Sequence, residues 1–124
     1  MVNYNDYTIK IKEYLYCVLN VHCYVEYNVP KNVAFPYATF NLPFSNSFAS
    51  DALNVIIRSN DNLLTSCVKL VDKLGADIGE GKRLKVGENG YIVLRKGTPF
   101  AQYINEETDD NINSFYVNLE VEFY

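Results

Sequence analysis

The residue types that could do chemistry in this 124-residue chain are few. His22 is its one histidine, and it stands beside Cys23 in the stretch VHCYVEY. A histidine next to a thiol could form a nucleophile–base pair or a metal half-site. That requires both side chains on one side of the backbone, and neighbours on a strand point to opposite faces. The pair is therefore expected to be two ordinary strand residues. Glu106, Glu107, Asp109 and Asp110 crowd into NEETDDN, but their order does not match a calcium loop, which alternates its ligands. Gly75, Gly79 and Gly81 in GADIGEG resemble a phosphate cradle only superficially. The spacing fits neither GxGxxG nor GxxxxGK[ST], and no helical pattern follows to lend its N-terminus. That segment is expected to be a mobile loop. No constellation fills the roles that acid–base or nucleophilic catalysis needs, so the chain is not expected to be an enzyme, and no cofactor or metal is expected.

The elements that carry these residues follow from periodicity. From Asp6 to Leu19, Tyr7, Ile11, Tyr14, Leu15, Val18 and Leu19 recur at helical spacing, predicting an amphipathic helix with Asn5 or Asp6 as its cap and Asn20 as its end. VHCYVEY, residues 21 to 27, is β-branched and aromatic, and predicts a strand with Val21, Cys23, Val25 and Tyr27 on one side. In NVAFPYATFNLP the X-Pro step holds Phe35 extended, and Pro36 is tolerated at the start of a strand but not within a central ladder. A second strand should follow that kink, with Ala38, Phe40 and Leu42 opposite Tyr37, Thr39 and Asn41. LPFSNSFAS, residues 42 to 50, reads as a loop, and ALNVIIR, 52 to 58, as a third strand.

A second helix is expected over Asp61 to Leu74, with Leu63, Leu64, Cys67, Leu70, Val71 and Leu74 as its buried stripe and Gly75 stopping it. RLKV and YIVLR flank GENG as a hairpin, and FAQYI adds a short separate strand after KGTP. SFYVNLEVEFY is the most regular strand: Phe115, Val117, Leu119, Val121 and Phe123 alternate with Tyr116, Asn118, Glu120, Glu122 and Tyr124. A terminal strand this regular is expected inside a sheet. The sum is an α+β fold, a mostly antiparallel sheet with two helices packed on one face and a β-hairpin, in a single domain over residues 1–124.

Composition bounds the function. A net charge of −4 argues against a nucleic-acid-binding surface, which needs clustered Lys and Arg. No apolar run is long enough to span a bilayer, and the first residues show neither a basic leader nor a cleavage site, so export by a signal peptide is not expected. Three cysteines without CxxC spacing fit a reduced cytosol, with Cys17 and Cys67 at apolar helical positions. Eleven Tyr and seven Phe exceed what a small core needs, and surplus Tyr often lies at interfaces.

The order of elements resembles the tail terminator (tail completion) proteins of tailed bacteriophages and prophages. The resemblance rests on a leading helix and strand (VHCYVEYNVP), the AFPYATFNLP segment opening the next strand, ALNVIIRSNDN before the second helix, and the aromatic final strand SFYVNLEVEFY. It departs from the family in LNVIIRS, where an acidic, Trp-containing strand is common, and in residues 75 to 90, which keeps a phage neck (head-closure) protein as an alternative. A cytosolic module binding a ligand or peptide on its Tyr-rich face is the non-viral alternative. The resemblance implies a virion protein made in the bacterial host cytoplasm. It would form a ring, usually a hexamer, that ends the tail tube and joins it to the neck or connector, with DNA passing through unbound. On that reading Phe35, Tyr37, Phe44 and Phe48 are candidate contacts with another subunit or the adjoining tail protein. Glu106, Glu107, Asp109 and Asp110 would line the lumen and repel DNA, the other reading being a solvated outer loop.

Overall fold

The computed structural model describes residues 4–26, 28–41, 51–60, 65–105 and 112–124. Its elements run α1 (Tyr4–Leu19), β1 (His22–Val25), β2 (Tyr37–Asn41), β3 (Asp51–Ser59), α2 (Thr65–Ile78), β4 (Lys82–Val86), β5 (Gly90–Asn105) and β6 (Asn113–Phe123). The strands make one six-stranded sheet in the order β1-β2-β3-β6-β5-β4. Every neighbouring pair is antiparallel except β1 and β2. The fold is α+β, as expected. Among the described residues no helix is long and apolar enough to cross a membrane.

The helical stripe of α1 is the buried one: Ile11, Leu15 and Leu19 are essentially inaccessible, with Tyr7 and Tyr14 close behind. Asn20 ends the helix in a left-handed conformation (φ 55°), its amide returning to the Tyr16 carbonyl at 2.8 Å. Tyr7 ties α1 to the end of the chain. Its ring meets Phe123 edge-on at 4.8 Å, and its Oη donates to the Tyr124 carbonyl at 3.1 Å.

α2 corrects the expected stop at Gly75. The helix continues through Gly75 to Ile78 and ends at Gly79, whose φ of 53° is left-handed and whose amide reaches the Gly75 carbonyl at 2.9 Å. Ile78, four positions after Leu74, extends the buried stripe by one more turn. Gly75 is kept small by packing: an added Cβ would lie 3.0 Å from the Phe100 ring on β5. The GADIGEG segment is therefore the last helical turn, its cap and a short link, not a loop throughout. The expected start of α2, with Asp61, Leu63 and Leu64, lies outside the described residues.

The expected separate FAQYI strand is a second correction. β5 runs unbroken from Gly90 to Asn105, pairing with β6 on both sides of an irregularity between Lys96 and Ala101. Gly97, the cis Thr98–Pro99 bond and Pro99 occupy that irregularity, and a β-bulge absorbs residues that would otherwise break a ladder. The GENG hairpin is as expected, with Val86 opposite Gly90 and Gly87 at φ 63°. The last strand lies inside the sheet, between β3 and β5, with Val117, Leu119 and Val121 fully buried. Both helices and the inward residues of the strands form one hydrophobic cluster.

Candidate functional site

Among the described residues, those that could do chemistry do not converge. His22 is exposed and Cys23 buried, as opposite strand faces require. The Cys23 thiol donates to the Val21 carbonyl at 3.4 Å, and burial pushes its pKa up to about 12, with Lys12 opposing that shift weakly. Among the described residues no group of three or more His, Cys, Asp or Glu could hold a metal ion. Glu106, Glu107, Asp109 and Asp110 lie outside the described residues, as do Phe44 and Phe48.

The other two candidate contacts, Phe35 and Tyr37, do come together, and in company the sequence did not reveal. Their rings are 5.2 Å apart, just across the cis Phe35–Pro36 bond. Parallel pairing sets His22 beside Tyr37 and Tyr24 beside Thr39, so the outward residues of β1 and β2 align. The result is a row of rings running from the α1 C-terminus over the β1 edge onto β2. Tyr16 to His22 is 6.3 Å, His22 to Tyr24 is 6.2 Å, and Tyr24 to Tyr37 is 6.3 Å. These separations lie within the range where aromatic rings interact. Tyr16 is half exposed.

Beneath the row sits a polar knot. Thr39, on the face opposite the helices, is nonetheless fully buried. Its hydroxyl donates to Glu26 Oε2 at 2.7 Å and accepts from Arg58 Nη1 at 3.0 Å. Arg58 Nη2 lies 3.6 Å from Glu26 Oε1, and the Arg58 side chain is only 15% exposed. Its guanidinium also stands 5.9 Å over the Tyr37 ring. A largely buried cation with a carboxylate and a hydroxyl around it holds its neighbours in fixed rotamers. The knot thus fixes how Tyr37 and its row are presented.

The far side of the sheet is different in kind. Lys82, Arg83, Lys85, Arg95 and Lys96 place five of the chain's eleven basic residues on the β4–β5 hairpin, against Glu88. The net charge conceals this cluster. Arg83 stacks 3.8 Å over Tyr91, whose other face stacks on Tyr124 at 4.7 Å. Arg95 pairs with Glu122 at 2.7 Å, and Tyr124 Oη donates to the same carboxylate.

Two grooves border α2. One, of about 650 Å³, is lined by Pro36, Ser66, Lys69, Leu70, Asp72 and Lys73. The other includes Tyr14, Cys17, Asp77 and Lys82. There Tyr14 Oη donates to Asp77 Oδ2 at 2.6 Å and Lys82 lies 3.6 Å from the same oxygen, stitching α1, α2 and β4 together. Burial, then the Asp77 contact, raises the Tyr14 pKa above the ordinary tyrosine value. Cys17 is exposed rather than on the apolar stripe, a correction to the expected placement, whereas Cys67 is buried. Iodoacetamide at pH 8 is accordingly expected to alkylate Cys17 first. Cys23 and Cys67 should react at least about a hundredfold more slowly, because each must wait for local opening. Peptide mapping against time checks this, and equal rates would contradict the placement of Cys23.

The chain matches no protein-family model, no curated protein and no solved structure.

Proposed function

We propose that the chain is a structural ring subunit that ends a phage-type tail tube and joins it to the neck. The observation that carries this reading is the aromatic row from Tyr16 through His22 and Tyr24 to Tyr37 and Phe35, set on an edge strand and braced by the Glu26–Thr39–Arg58 knot. Rigid rings at a sheet edge, with few rotamers to lose, make a subunit contact. The sequence resemblance to tail terminators supplies the identity of the assembly, and the element order supports it: helix, three strands, helix, then strands ending on an aromatic one at the centre of the sheet. The subunits would encircle the DNA path, and the tube protein and the neck protein would meet the ring's two ends.

The test is to incubate the protein with purified tail tubes and image them by electron microscopy. A ring of density at one tube end only is expected. Tubes with both ends bare at saturating protein would contradict the reading. The groove beside Pro36 favours a second reading, a module binding a peptide or small ligand between Pro36 and α2. On that reading the protein remains a monomer and leaves tubes untouched.

A further inference from the structure

The face of the sheet away from the helices holds two tyrosines in contact. Tyr124, just past β6, lies opposite Tyr91 of β5, and the two exchange both backbone hydrogen bonds: the Tyr91 amide reaches the Tyr124 carbonyl at 3.1 Å and the return bond is 2.9 Å. Their neighbours Ile92 and Phe123 pack into the core, so the two tyrosines share the opposite, outer face. Their rings stack at 4.7 Å with 13° between the planes. Arg83 covers the other face of Tyr91 at 3.8 Å and holds that ring in place. Tyr124 is 52% exposed, and its Oη donates to one oxygen of the Glu122 carboxylate while Arg95 holds the other at 2.7 Å. A phenol already hydrogen-bonded to a carboxylate can release its proton there as an electron leaves, which avoids a charged ring. By contrast, Tyr24 and Tyr37 are 6.3 Å apart and edge-on, at 65°.

We propose that Tyr91 and Tyr124 form a site of oxidative tyrosine–tyrosine cross-linking, the oxidant being a haem peroxidase supplied with hydrogen peroxide. The site stands whether or not the chain assembles. Each tyrosine loses one electron to the peroxidase and one phenolic proton, Tyr124 to Glu122, which passes it to water, and Tyr91 to water directly. The two phenoxyl radicals join by one carbon–carbon bond between ring positions next to the oxygens. The two hydrogens on those carbons then move through water onto the oxygens, which restores both phenols. The chain ends lighter by two hydrogens, and the peroxide leaves as two waters. The link holds the end of the central strand on the hairpin and closes the chain between the two residues into a loop, which restricts the unfolded ensemble.

The test exposes the protein to the peroxidase and hydrogen peroxide and maps the cross-linked peptides by mass spectrometry. At about 1 µM protein, two rings held together outcompete any ring of a second chain by about a thousandfold. A Tyr91–Tyr124 link within one chain is expected as the main product, at least about tenfold above any other tyrosine pair. In urea, where the stack is gone, the same reaction should scatter links among the eleven tyrosines. Tyr91→Phe and Tyr124→Phe keep the rings and remove only the hydroxyls, and each should abolish the link. Glu122→Gln still accepts the hydrogen bond but cannot take the proton, and should slow the reaction at least about tenfold. The comparison of folded with urea-treated parent protein keeps the test decisive should a variant misfold. The same spread of links in both, or links chiefly between chains, would overturn the site. An unchanged rate in Glu122→Gln would overturn the role given to Glu122.

Discussion

Replacing Leu119 with Ala is expected to lower stability by about 2–5 kcal/mol, the range for emptying a fully buried leucine site. Leu119 is 1% exposed on β6, with Leu53 of β3 opposite it on one side and Lys96 of β5 on the other. Neither neighbouring strand can move in to fill the space without losing its ladder, so the cavity term should be close to full. In thermal unfolding this corresponds to a fall of the midpoint on the order of 10 °C. A shift near zero would mean that β6 is peripheral to the core.

The second large effect is expected at Gly97, for the opposite reason. A Cβ there would stand 2.8 Å from the Asn118 carbonyl oxygen and 3.1 Å from its carbonyl carbon. The obstacle is backbone of the central strand, which cannot rotate away as a flexible side chain would. Gly97→Val is expected to cost about 1–3 kcal/mol, as overpacking does, with further loss if the bulge opens. Gly81 is the control: an added Cβ there meets only Arg95 Cγ and the Leu94 oxygen at 4.0 Å. Gly81→Ala should be neutral or stabilise by up to about 1 kcal/mol by restricting the unfolded chain. Equal midpoints for the two variants would contradict the close approach of β5 and β6.

How much of this was legible in the sequence depends on the range of the interaction involved. The α1 stripe and the alternation from Phe115 to Phe123 are local patterns, and both elements lie where those patterns place them, except that α1 begins at Tyr4, so Asn5 and Asp6 lie in its first turn rather than capping it. Gly75 misled because a glycine after an apolar stripe so often ends a helix. The contrary signal was Ile78, which continues the stripe, and the reason for Gly75 is Phe100, twenty-five positions away. Gly97 and Pro99 read as punctuation between two strands, yet β6 pairs with both halves of β5 and overrides them. Thr39 lies on the strand face opposite Ala38 and Phe40, so the sequence pattern alone gave no sign of its burial. Its burial needs Glu26, just past β1, and Arg58 of β3, and that depends on the register across three strands. The aromatic row depends on the same register. Tyr24 and Tyr37 are thirteen residues apart in sequence, and only parallel pairing of β1 with β2 makes them diagonal neighbours with rings 6.3 Å apart. The basic hairpin was visible residue by residue, but a net charge summed over the chain hid it.

The most direct measurement of the central claim, that this chain is a ring subunit, is native mass spectrometry of the purified protein across a range of concentrations, alone and with tail tubes. A single closed oligomer, six copies by the tail-terminator resemblance, is expected either in solution or on the tubes. A strict monomer under both conditions would contradict the claim.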